Sequence, residues 1–192
     1  MDKKYLKKKS KEIFKKRYKK FNVDKRIFLV FLLAILLSFI FKQVIFIVIF
    51  SIINALLLSI ERTTGISQDI EFSTFSSVLF TRVYGLKWGL FMAIFTKFVA
   101  NLYNSTFRID HLFMIVGYSI AALITHSLPG VNIMWVGIIA TIVVNIYIYV
   151  VSKYITMLSM FEIVIYGSTN LIFNLLIFSI FSNPVAGLMR LF

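Results

Sequence analysis

Nearly unbroken apolar runs at 27–41, 43–60, 72–84, 86–104, 111–128, 131–151 and 160–181 leave few folds open to this chain. With 59% hydrophobic residues in a length of 192, a water-soluble domain could not hide that much apolar surface, whereas a bilayer solvates it. The runs lack the apolar–polar alternation of a membrane β-barrel, so the spanning element must be the helix, which satisfies its own backbone. The expected fold class is all-α, a polytopic integral membrane helix bundle. Crossing a hydrocarbon core of about 30 Å takes about 20 helical residues. The runs at 27–41 and 72–84 are short of that length. The expectation is a six-helix core over 43–181, with 27–41 as an extra short apolar segment that either lies shallow or adds a seventh span.

Charge is placed unevenly. The net charge is +13, and residues 1–26 hold thirteen Lys/Arg against Asp2, Glu12 and Asp24, a net +10. Tyr5, Leu6, Ile13, Phe14 and Tyr18 recur among these lysines at roughly helical spacing, as in a helix lying on a membrane surface. A polybasic segment directly before apolar helices holds the N-terminus in the cytoplasm and touches anionic lipid headgroups. Nucleic acid is the less favoured partner, because no groove-reading module follows the tail. The expected organisation is a basic cytoplasmic or membrane-surface segment, 1–26, and a transmembrane helical domain, 27–192. The expected location is the plasma membrane, multi-pass. With six spans and the N-terminus inside, Glu61, Asp69, Glu71, Asp110 and Glu162 all fall at or just beneath the outer face. The inner side then keeps Arg82, Lys87 and Arg190.

The run from Gly85 to Asn104 carries the most informative pattern. Gly85, Gly89 and Ala93 recur every four residues, so one helix face is nearly bare backbone and a second helix can approach closely. Lys97, Asn101 and Asn104 continue along that side. Lys97 falls about 16 Å from the start of its helix at 1.5 Å per residue, near the bilayer midplane, where a charge facing lipid is costly. Two roles fit it: an ammonium that selects an anionic ligand, or one half of an internal ion pair with Glu71 or Glu162. A second polar stripe, Glu162, Tyr166, Asn170 and Asn174, repeats every four residues in the last run. It either lines a cavity or bonds neighbouring helices, and it is a candidate for the helix that meets the small-residue face. Arg62 and Asp69 belong to a polar loop, 61–71, that would sit over such a site. The short run 72–84, with Ser73, Thr74, Ser76, Ser77 and Thr81, should be enclosed by protein rather than lipid.

Enzyme signatures are missing from the sequence. His111 and His126 stand fifteen apart with no HExxH spacing, and no GxSxG turn, P-loop or GxGxxG occurs. Cysteine is absent altogether. No catalytic residue, metal or cofactor is expected.

The order of these features from 43 to 181 resembles the substrate-binding S components of energy-coupling-factor transporters. The matching parts are the polar loop 61–71, the short helix 72–84, the Gly85/Gly89/Ala93 helix and the polar last helix. That resemblance implies a subunit capturing a small micronutrient near the outer face, energised by a separate transmembrane coupling subunit and ATPases. It also implies small residues on the first helix that meet the coupling subunit, and Ala55 and Ser59, or Ala34 and Ser38 in the extra run, have that spacing. The stretch from Leu79 to Phe91 resembles instead the glycine-rich helix pair of MreD-like rod-shape scaffolds, which would make the chain a non-transporting recruiter of envelope or division proteins. The MreD-like family, and many S components, look to have an aspartate near the position of Lys97, and the lysine departs from it. By charge, Lys97 favours an anionic ligand. The expected substrate-binding set is Arg62, Asp69, Lys97, Asn101, Asn104, Glu162, Tyr166, Asn170 and Asn174. Ala55, Ser59, Gly85, Gly89 and Ala93 are expected in helix packing with a partner.

Overall fold

Each apolar run from 43 onward becomes a helix, because in the absence of competing water the backbone can satisfy itself only locally. The computed structural model describes residues 42–64 and 69–191, together with Ile27, Leu29, Val30 and Leu33, which are helical and exposed. The expected surface helix in 1–26, nearly all of the 27–41 segment, and Gly65 in the polar loop lie outside the described residues. Residues 42–192 form a unit of their own, separate from residues 1–41. Its helices are α1 (Lys42–Thr64), α2 (Ser73–Tyr84), α3 (Leu86–Asn104), α4 (Ile109–Ser127), α5 (Ile133–Tyr154) and α6 (Met160–Leu191). Among the described residues there is no strand.

Four helices, α1, α4, α5 and α6, are long and apolar enough to cross a membrane. Their outward faces fit that environment: Val44, Ile45, Val48, Ile49, Ile52 and Leu56 of α1 are all exposed. α6 runs on past its apolar stretch through Pro184, and its 32 residues reach about 48 Å at 1.5 Å per residue. Proline is tolerated inside such a helix, since neighbouring groups and local adjustment re-satisfy the freed carbonyl.

The short helix α2 is the core of the bundle. It packs against α3, α4, α5 and α6, and nine of its twelve residues are buried. Three of its hydroxyls, those of Ser76, Ser77 and Thr81, find carbonyls to donate to, while Thr74 Oγ1 is buried without a partner. Ser76 Oγ donates to Ser73 O at 3.0 Å and Thr81 Oγ1 to Ser77 O at 2.8 Å. Ser77 Oγ lies 3.0 Å from Tyr118 O on α4 and 3.2 Å from Gly89 O on α3, joining three helices. An aromatic cluster fills the space beside these groups: Phe50 of α1 meets Phe72, Phe75 and Phe80, and Phe75 meets Phe178 of α6.

The small-residue face of α3 is used, but by α2 rather than α6. Gly85 turns the chain between α2 and α3 with φ of 94°, a conformation that side chains other than glycine rarely adopt. One turn later, a Cβ on Gly89 would sit 1.7 Å from Thr81 Oγ1 and 3.0 Å from Ser77 O. The α2–α3 hairpin closes on that bare backbone. α6 packs instead on α5 and α2, and its close approach is at Gly137 of α5, where a Cβ would fall 2.1 Å from the Phe178 ring. Ala55 likewise has an internal use, clustering with Leu58 and Ala100 between α1 and α3. Ser59 Oγ bonds back to Leu56 O within its own helix.

Gly89→Ala should therefore lower stability by about 1–3 kcal/mol through overpacking. Gly130→Ala, where an added Cβ meets nothing within 4 Å, should stay within about 0.5 kcal/mol of the parent. Thermal unfolding of both variants in detergent checks the difference.

Candidate functional site

Residues 69–72, before α2, are buried or half-buried but not helical, so their backbone and two acids must find partners inside. Asn54 of α1 takes the backbone: Phe72 N donates to Asn54 Oδ1 at 2.6 Å, and Asn54 Nδ2 reaches Ser73 Oγ at 3.0 Å and Thr96 O of α3 at 3.2 Å. Asp69 is held by α6, its amide donating to Thr169 Oγ1 at 3.0 Å and its Oδ2 accepting from Asn170 Nδ2 at 3.0 Å. Asn145 of α5 completes this network, donating to Asn170 Oδ1 at 2.9 Å. Asn174 Nδ2 lies one turn deeper, 3.0 Å from Asn170 O.

Glu71 is fully buried. One carboxylate oxygen takes the Lys97 ammonium and the other takes the Tyr118 hydroxyl of α4. The carboxylate also sits at the start of α2, where the unpaired N–H groups of the first turn favour negative charge. Lys97 is thus half of an internal pair with Glu71, one of the two roles its position allowed.

Because α2 is only twelve residues long, about 18 Å at 1.5 Å per residue, it fills one half of the bundle and leaves the other half open. A cavity of about 380 Å³ lies at the end where α2 begins, lined by residues of α4, α5 and α6 with Leu58, Asp69 and Lys97. Its walls are mostly apolar, with Met114, Ile148, Ile163 and Leu171 among them, and its polar groups include Asp69, Lys97, His111, Asn145 and Tyr166. At the rim, Arg108 Nε and Asp110 Oδ1 pair at 3.1 Å. His111 is buried, and its Nδ1 has no hydrogen-bond partner. This is the composition of a small-molecule pocket, an apolar enclosure with a few fixed polar groups that orient a ligand.

Of the residues expected from the sequence, the structure places Asp69, Lys97 and Tyr166 on the cavity. Asn170 stands behind it, orienting Asp69 and Asn145, and Asn174 supports Asn170. Asn101 is buried with its Oδ1 unpartnered. Asn104 ties α3 to α1 by donating to Ala55 O at 3.0 Å, and Arg62 NH1 caps the same helix end at Asn104 O, 2.9 Å away. Glu162 closes a capping box at the start of α6: its Oε2 accepts from Ser159 N at 3.0 Å and Ser159 Oγ at 2.7 Å.

His111, Arg108 and Asp110 line the cavity without having been singled out for it, and Tyr118 was missed as the second anchor of Glu71. No spacing marks them: they become neighbours only because the first turns of α4 face Lys97 and the Asp69 segment. Among the described residues no three His, Asp or Glu side chains group as a metal ion requires.

Lys97→Met strands the buried Glu71 carboxylate, so a loss of about 3–5 kcal/mol is expected. Adding Glu71→Gln to the same chain should bring the total well below the sum of the single effects, and a double-mutant cycle of unfolding free energies measures that coupling. Compared with family models, with curated proteins and with solved structures, the chain matches none.

Proposed function

We propose that this chain is a membrane substrate-binding subunit that captures a small, micronutrient-sized molecule for uptake with separate energising partners. The observation that carries the reading is the cavity of about 380 Å³ with Asp69, Lys97 and His111 in its lining. Ligand pockets begin at about 300 Å³, and the mix of apolar wall and few polar groups suits a compact molecule with one polar end. The resemblance of the helix order to S components points the same way.

The charge pattern refines the ligand expected there. Lys97 meets the cavity with its ammonium already matched by Glu71, so an anionic ligand binds only by sharing that charge. His111 Nδ1 is buried beside the cavity without a hydrogen-bond partner, so a neutral ligand carrying a hydrogen-bond donor gains a bond there if the imidazole turns toward it.

Gly167 supplies the test. It lines the cavity, and a Cβ there would have only Asn145 Oδ1 within 4 Å, at 3.7 Å. Gly167→Leu should therefore fill the pocket without lowering stability. A bound ligand at 100 times its Kd raises stability by about 2.7 kcal/mol. A thermal-shift panel of vitamin-sized compounds on the full-length protein should find one that stabilises the parent and leaves Gly167→Leu unchanged. Equal stabilisation of both chains would remove the cavity from the reading. A pure scaffold would show no shift with any compound.

A further inference from the structure

The opposite end of the bundle, where α2 ends and α3 begins, gathers positive charge with no described acid beside it. Asp69, Glu71, Asp110 and Glu162 all belong to the cavity end, while Arg82, Lys87 and Arg190 sit in the last turn of α2, the first turn of α3 and the last turn of α6. Tyr84 OH donates to Met189 O at 3.0 Å, which brings the ends of α2 and α6 together. Arg82 and Arg190 stand two residues and one residue from that bond, in the last turns of their helices. Arg82 NH2 donates to Leu128 O at 2.9 Å and NH1 to Pro129 O, but its Nε is enclosed and has no partner. Arg190 is exposed.

Two guanidinium groups held near each other repel unless an anion lies between them, and the guanidinium fork matches phosphate oxygens in shape. Three further features surround the pair. The first turn of α3 has no acid and no side-chain cap, so its N–H groups add positive potential. Added Cβ atoms at Gly85 and Gly187 would meet nothing within 4 Å, which leaves open space beside both arginines. The flanks are apolar and exposed, Phe91 on α3 and Leu188 on α6, and Trp88 and Trp135 start their helices at this level as interfacial aromatics do.

We propose that Arg82 and Arg190, with Lys87, form a binding site for the phosphate of an anionic phospholipid whose acyl chains lie along the exposed apolar flanks. The site lies at the opposite end of the bundle from the cavity.

Native mass spectrometry of the full-length chain tests it, with phosphatidylglycerol and phosphatidylcholine as probes. The parent should retain phosphatidylglycerol preferentially. Arg190→Gln should weaken that retention about tenfold, Arg190→Lys should keep part of it, and Arg108→Gln at the far end should leave it unchanged. The 1–26 segment is the same in every chain, so differences report on Arg190. Arg82→Gln serves as a second variant, judged only if it unfolds at the parent temperature, because Arg82 also holds the α4–α5 turn. Unchanged retention in Arg190→Gln, or equal loss of both lipids, overturns the proposal. If inorganic phosphate stabilises the parent and phosphatidylglycerol is not retained, the occupant is a free anion and the lipid assignment fails.

Discussion

Everything at the centre of this protein depends on one buried carboxylate. Glu71 enters the bundle just ahead of α2 and is clamped by Lys97 of α3 and Tyr118 of α4. Taking a carboxylate and an ammonium out of water costs several kcal/mol per ion, and their attraction offsets this only when geometry is close and the remaining lone pairs are satisfied. Here the second oxygen has the tyrosine hydroxyl, and the N-terminus of α2 adds favourable potential. The cluster therefore specifies position more than it adds stability: α2, α3 and α4 can hold one relative register in which all three groups are satisfied.

That register sets the depth of α2, and the depth of α2 sets the cavity. A helix of about 18 Å inside a layer of about 30 Å must leave space at one end. Asn54 and Glu71 fix which end, by anchoring the start of α2 well below the tips of the surrounding helices. Asp69, Asn170 and Asn145 then close the side of that space. Lys97 and Asp69 thus both line the cavity and hold the segment that leads into the central helix, so a ligand touching either would act on the packing of α2 itself.

The two ends of the bundle differ in what they can bind. The cavity end carries Asp69, Glu71, Asp110 and Glu162, each matched by a cation, an amide or a cap, and it holds the cavity. The other end carries arginines whose charge is not matched by any described acid, and it is open at its glycines. On the two proposals, a small molecule would occupy the first and an anionic headgroup the second. The separation follows from helix polarity in part, since Arg82 and Arg190 each sit in a last turn where carbonyl oxygens favour cations.

Much of this architecture was legible in the amino-acid order. The apolar runs predicted helices at 43–60, 72–84, 86–104, 111–128, 131–151 and 160–181, and helices appear at each, because hydropathy and backbone self-satisfaction act within a single segment. The enclosure of α2 and the bare face at Gly89 were local properties too. What covers that face was not, and α2 rather than α6 does so. The stripe from Glu162 to Asn174 shows the limit of spacing arguments: steps of four residues turn by about 40° each beyond a full turn. Over three steps the stripe slews around α6, so Glu162 caps the helix end while Asn170 faces Asp69. By itself the sequence determined which segments are helical, which are apolar outside, and that Lys97 needs a partner or a ligand. Only the tertiary structure decided that the partner is Glu71, 26 residues away, and that His111 and Arg108 share its cavity. Those contacts depend on how each helix is rotated toward its neighbours, and that rotation is set jointly by all of them.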